Sequence, residues 1–286
     1  MRRILLLVIS VLLALIVVVP TVMAKSSNTD TSTNNTTTNP STNNTTTNTT
    51  TSSTGTVVPP SGDNYKTLSQ QWWQWAYKTP KPDNPLNNFT DNSGTLCATG
   101  QSGSTWFLGG SFATNTGKGA GTVQRTCNVP AATQLFIPVV NDESSTVEGD
   151  PSATDPACPS GTPTLQDCAT NLMDHALLSK YNNKPPSTMS VKLDGVQIQN
   201  LDPNNTPYRV ASGPFQFTLP ANNVDNFCPP GGTSPCPAGP SNAAGDGVYL
   251  LLAPLSKGQH TLHFKFVGGS FSQPFGEDNT YTLNVS

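Results

Sequence analysis

Charge is scarce in this chain. Lys and Arg number 14 and Asp and Glu 17 among 286 residues, the formal net charge is −3, and the basic residues form no run or stripe. Nucleic acid is held by clustered cations that displace its counterions, so it is excluded as an expected partner, and an anionic membrane surface with it. Histidine is scarcer still, with three residues. His260 and His263 are three apart on a strand-like segment, which turns them to opposite faces, and His175 has no second histidine at helical spacing. Each is read as structural unless a distant partner meets it in space. No C-x2-C pair occurs, which argues against a zinc ribbon, and no G-x-S-x-G occurs, since "GGSFS" does not supply a nucleophile elbow. Past residue 24 no apolar run is long enough to span a bilayer.

The start of the chain has what the rest lacks. Arg2 and Arg3 precede an apolar run from Ile4 to Val19, with small residues around Val22 and Ala24. Residues 1–24 therefore read as an export signal, cleaved after Ala24 or retained as a membrane anchor. Residues 25–61 follow as a tether made mostly of Ser, Thr and Asn. Without large apolar side chains such a segment cannot offset the entropy of ordering, so disorder is expected. N-x-[ST] glycan acceptors occur in it at Asn34, Asn35, Asn43, Asn44 and Asn48, and later at Asn88, Asn204 and Asn284. Residues 62–286 are long enough for one domain with a sizeable core.

Six cysteines, an even number behind an export signal, read as a disulfide framework. Fifteen pairings are formally open, and the sequential set is favoured: Cys97 with Cys127, Cys158 with Cys168, Cys228 with Cys236. Short β-like segments broken by Gly, Pro and Asn then predict a mainly β domain, an antiparallel, jelly-roll-like sandwich. The run "VYLLLA" is apolar on both faces and should lie centrally, whereas "HTLHFKF" alternates and should be half-buried. Two helices should decorate this body. One is the Trp-rich segment "LSQQWWQWAYKTP"; the other, "PTLQDCATNLMDHALLSKY", opens with Thr164 and Asp167 in capping-box-like spacing. Its expected apolar face is Leu165, Cys168, Ala169, Leu172 and Ala176.

Two places carry candidate chemistry. Trp72 and Trp75 lie on the apolar stripe of the first helix, while Trp73 and Tyr77 sit to one side of it. Those two rings either cover the core margin or, with Trp106, form an aromatic platform on which a sugar face could stack. The second place is "NDESSTVEGDPSATDP", residues 141–156, read as an irregular loop leaving a strand. Its simplest reading is a solvated acidic surface. As a site, Asp142, Glu143, Glu148 and Asp150 offer the oxygen ligands calcium takes, though not at EF-hand spacing, and no other cofactor is expected. Asp142 or Glu143 could instead serve a glycosidase.

Several segments together carry a resemblance: "WWQWAYKTPKPDNPL", "CATGQSGSTWFLGGSF", "RTCNVPAATQLFIPVVN", "LDGVQIQNL", "FQFTLPANN" and "DGVYLLLAPLSKGQHTLHF". They resemble a family of secreted, mainly bacterial β-rich proteins with no established activity. The resemblance covers about Trp72 to Phe266 and implies export and architecture, with no catalytic residue. Family members usually have a cysteine soon after the P-V-V-N strand, paired with one in the later helix. Here "DESST" has none, and the resemblance implies that Cys158 takes that place against Cys168. Gln101, Asn141, Asp194, Asn223, Asp246 and His260 are the polar residues to follow within the matching segments. Asp194–Gly195 and Asp246–Gly247 both read as D-G turns, and Gln101 and Asn141 as partners for buried backbone near the first disulfide.

The expected function is that of a non-enzymatic, secreted or surface-tethered domain with a binding or structural role, an extracellular glycan being the favoured ligand class and a cell-surface protein the other expected partner. The alternative is an extracellular hydrolase using carboxylates of the 141–155 stretch, with or without calcium.

Overall fold

A computed structural model describes residues 56–87, 90–112, 121–151, 158–178, 187–225, 228, 235–269 and 274–286. The expected export signal, the expected tether as far as residue 55, Asp155 and the N-x-[ST] sites up to Asn88 lie outside the described residues. Strand β1 (Val57–Val58) already pairs with the body, through Leu252 and Leu251, so the folded part begins some residues before Gly62.

The expected mainly β class with two helices is borne out. Helix α1 (Asn64–Lys78) is followed by β2 (Thr90–Asp91), β3 (Thr105–Phe107), β4 (Gly121–Val129) and β5 (Gln134–Ser145). Helix α2 (Leu165–Leu177) leads to β6 (Thr188–Leu193), β7 (Val196–Gln197), β8 (Arg209–Leu219), β9 (Gly239–Leu252), β10 (Gly258–Gly269) and β11 (Pro274–Val285). One sheet runs β1-β9-β5-β3 with β8 also on β9; the other runs β2-β4-β11-β10-β6-β7.

The sheets are mixed rather than wholly antiparallel. β4 lies parallel to β11, β2 to β4 and β3 to β5. A tight hairpin forces antiparallel pairing, but β4 meets the last strand of the chain, where no hairpin constrains direction. Strand β9 is central as its unbroken apolar run requires, pairing with β1, β5 and β8. On β10, His260, Leu262, Phe264 and Phe266 are buried and the alternate residues face outward, at least in part. Asp194 and Gly195 form the β6–β7 turn with both φ values positive, as a two-residue D-G turn demands. Asp246–Gly247 does not turn: it lies inside β9. There the glycine is a packing requirement, since a Cβ on Gly247 would stand 2.6 Å from Asn141 Cβ and 2.8 Å from the Tyr249 ring.

All three sequential disulfides are present. Cys158–Cys168 ties the start of α2 to the preceding chain, and Thr164 caps that helix by accepting from Asp167 N at 3.1 Å. The buried face of α2 is Cys168, Ala169, Met173 and Leu177, rotated slightly from the expected stripe. Rings of α1 and side chains of both sheets join one apolar core. Among the described residues no helix is long and apolar enough to cross a membrane.

Candidate functional site

The rings proposed as a platform are in the core. Trp73 is 4% exposed, Tyr77 2% and Trp106 9%. Tyr77 stacks on Trp73 and Phe112 and meets Phe217 with centroids 4.5 Å apart, while Trp72 meets Trp73 edge to face. Glycine at 245 makes room for this packing, because a Cβ there would lie 2.8 Å from Trp73 Nε1. The flanking tryptophans are pinned by hydrogen bonds, Trp72 Nε1 to Leu108 O at 2.8 Å and Trp75 Nε1 to Thr99 O at 3.0 Å. Large aromatic surfaces dominate core energetics, and here the helix spends them all inward. None of the three rings offers a face to a sugar.

The acidic stretch is only in part the loop it resembled, since residues 146–151 turn and bend but residues 141–145 are strand. Strand β5 continues through Ser145, which places Asp142 and Glu143 in register opposite Asp246 and Gly245 of β9. Glu143 points inward and is 4% exposed. Tyr77 donates its hydroxyl to Glu143 Oε1 at 2.7 Å, while Oε2 is enclosed without a hydrogen-bond partner. Glu148 is half-buried and accepts from Ser145 Oγ at 3.1 Å. Asp225, fully buried, reaches the same region from the segment after β8. Burial, first, and then the surrounding acids push the Glu143 and Glu148 carboxyls well above their ordinary value, with Tyr77 opposing this at Glu143.

This geometry bears on both chemical readings of the stretch. Among the described residues no three His, Cys, Asp or Glu converge so as to hold a metal ion. Asp142, Glu143, Glu148 and Asp150 therefore do not form the expected calcium shell. Nor does Glu143 present an oxygen to a substrate, which a glycosidase carboxyl flanking a scissile bond must do.

The histidines find partners that the sequence did not specify. His260 Nδ1 lies 2.7 Å from Asp194 Oδ2, and its Nε2 lies 3.3 Å from Ser256 Oγ. That is the connectivity of a Ser-His-Asp triad, but Nε2 is also 2.9 Å from the Ser256 carbonyl. A carbonyl only accepts, and so does an ionised carboxylate, so both ring nitrogens carry protons and none is left to take one from Ser256. Burial alone would lower the His260 value; Asp194 and the Ser256 carbonyl more than reverse this and raise it. His260 is thus a charged latch joining the β9–β10 turn to the β6–β7 turn. On the opposite face of β10, His263 and Lys265 share Asp278, at 2.7 and 2.8 Å.

Other residues singled out by sequence are structural. Gln101 donates to Cys97 O and Phe107 O and accepts from Phe107 N, the expected backbone role beside the first disulfide. Asn223 donates to Cys236 O at 2.8 Å. Asn141 is beside Gly247, with its amide against the Tyr249 hydroxyl. Asp246 is held by both Arg209 nitrogens, Nε and Nη2, at 3.0 and 2.9 Å, and Arg209 Nη1 reaches Asp174 of α2 at 2.7 Å. Sequence reasoning gave Arg209 no role.

One surface feature has the shape of a binding site. A groove of about 260 Å³ lies between β1 and the β6–β7 hairpin with the turn after it. Val57, Leu193, Val196 and Ile198 supply apolar surface, Gln197, Gln199 and Asn200 supply amides, and Tyr208 adds a ring; none is charged. Val196 is unusually open for its type, at 54%. Comparison with protein-family models, curated proteins and solved structures finds no match.

Proposed function

We propose that this chain is an exported, surface-tethered β domain with a binding rather than a catalytic role, and that it takes an uncharged, hydroxyl-rich ligand of glycan type in the β1/β6–β7 groove. The carrying observation is the lining: three amides beside apolar walls, with no ionisable carboxyl or amine. Amides offer both donors and acceptors to hydroxyl groups, and the exposed Val196 with half-buried Val57 and Ile198 suits the apolar face of a sugar. A volume of about 260 Å³ falls just short of drug-sized pockets, which suits a single sugar unit of a longer chain. The export-like start, the polar tether, the resemblance to secreted bacterial proteins and the three disulfides support an oxidising, extracytoplasmic setting.

A glycan array probed with the full chain tests this directly. Binding to a neutral glycan that drops about tenfold in the double variant Gln197→Ala, Gln199→Ala is expected, at one to two hydrogen bonds' worth of affinity. Signals at background across the array would remove the glycan reading.

A further inference from the structure

Glu143 is buried on the same sheet as Asp246, which has a cation. The ion pairs among the described residues engage Asp174, Asp246, Asp194 and Asp278, with neither Glu143 nor Glu148 among them. The groups that act most strongly on Glu143 are Tyr77 from α1, Asp225 after β8, Asp142 beside it on β5 and Asp150 after β5, and Glu148 lies within reach of it as well. Those facing Glu148 are Glu143, Asp225, Asp142 and Asp150. All are acids or a phenol. A buried carboxylate without a cation is costly enough that the group gives up its charge instead. A metal ion could supply the compensation, but among the described residues the side chains do not converge for one. The remaining compensator is a proton, and the enclosed, unpartnered Oε2 of Glu143 is where an uncompensated half-charge would otherwise sit.

We propose that Glu143 in the core, with the half-buried Glu148 beside it, forms a proton-binding site that ties the stability of this domain to an acidic medium. The sparse charge of the chain fits the same setting, since few surface carboxylates are lost in acid and few cations are left to repel one another.

The direction follows from linkage. Both carboxyls titrate higher in the folded chain than their ordinary value of 4.5, so the folded state holds more protons. Their contribution is complete at and below that ordinary value and is lost as pH rises toward the folded values. His260, also raised, acts in the same direction at higher pH, and the carboxyls of Asp246 and Glu277, which burial raises, act in that direction too. Asp278, lowered by Lys265 and His263, acts oppositely and is lost only as pH falls through its lowered value.

Thermal unfolding of the full chain between pH 4.5 and 8 tests the proposal, with the Glu143→Gln, Glu148→Gln double variant and His260→Asn alongside. Wild type should melt roughly 5 to 10 °C higher at pH 4.5 than at pH 8. Glutamine mimics the protonated acid, so the double variant should lose at least half of that difference, while His260→Asn keeps most of it. A wild-type midpoint that is level or rises toward pH 8, or a slope unchanged in the double variant, would overturn the proposal. Infrared spectroscopy gives a reading independent of how the variants fold. Wild type at pH 7 should show the carbonyl band of a protonated carboxyl, and its absence would overturn the proposal equally.

Discussion

Glu143 and Asp246 lie on neighbouring paired strands, equally buried at 4% and 3%, yet the fold treats them differently. Asp246 receives a two-pronged guanidinium from Arg209, which also reaches Asp174 and so ties α2 to the sheet. Glu143 receives only the Tyr77 hydroxyl and faces further acids. Burial raises both carboxyls, but Arg209 opposes the shift at Asp246 whereas further acids add to it at Glu143. The difference teaches that acidic density in a sequence does not locate a surface site. The densest acidic stretch of this chain runs into its core, and the isolated aspartate has the cation.

The largest effect should come from breaking the cationic side of this contrast. Arg209→Met leaves Asp246 buried without its partner and should destabilise the domain by about 3 kcal/mol in urea at pH 7. That is the low end for a broken buried pair, because the Arg209 side chain keeps 24% of its surface exposed. Burial already raises the Asp246 value despite Arg209, so the deficit should shrink as pH falls and Asp246 protonates. An equal deficit at pH 7 and pH 4 would show that lost packing, not stranded charge, sets the cost.

A smaller effect tests the other side. Tyr77→Phe removes the one hydrogen bond to Glu143 and should cost about 1 to 2 kcal/mol. The bond favours the charged carboxylate, so the cost should be greater at pH 8 than at pH 4.5. Denaturation of the variant at both values measures it, and a cost independent of pH would mean that Glu143 does not change charge across that range.

Local features were legible in the sequence and long-range partnerships were not. The Cys158–Cys168 and Cys228–Cys236 bonds close short loops, the Thr164 cap acts within one turn, and the β10 alternation is a property of consecutive residues. Asp194–Gly195 and Asp246–Gly247 show the limit. The same dipeptide turns the chain at one place and lies inside the central strand at the other, where Asn141 and Tyr249 demand a glycine. Nothing within the dipeptide distinguishes the two. Similarly, Trp73 and Tyr77 read as flanking the helix stripe, but Phe112 and Phe217 arrive from elsewhere to cover them. Asp225 and Arg209 had no signal at all, because their roles exist only once β8 and β9 are paired.

The smallest effect sharpens the contrast by moving it to the surface. Lys265 and His263 bracket Asp278 much as Arg209 brackets its two aspartates, but with side-chain exposures of 43% and 35%. Water then screens the attraction, and Lys265→Gln should cost no more than about 0.5 kcal/mol. Asp278 is lowered by Lys265 first and His263 second, so what stability it adds is present above its unfolded value and lost as pH falls through the lowered one. This is the reverse of the core cluster. A double-mutant cycle with Asp278→Asn, run at low salt and at about 0.5 M salt, isolates the coupling. It should fade in salt, whereas the cost of Arg209→Met should persist because its charges are shielded from ions by the fold. If the two respond alike to salt, burial is not what separates the two treatments of acid in this molecule.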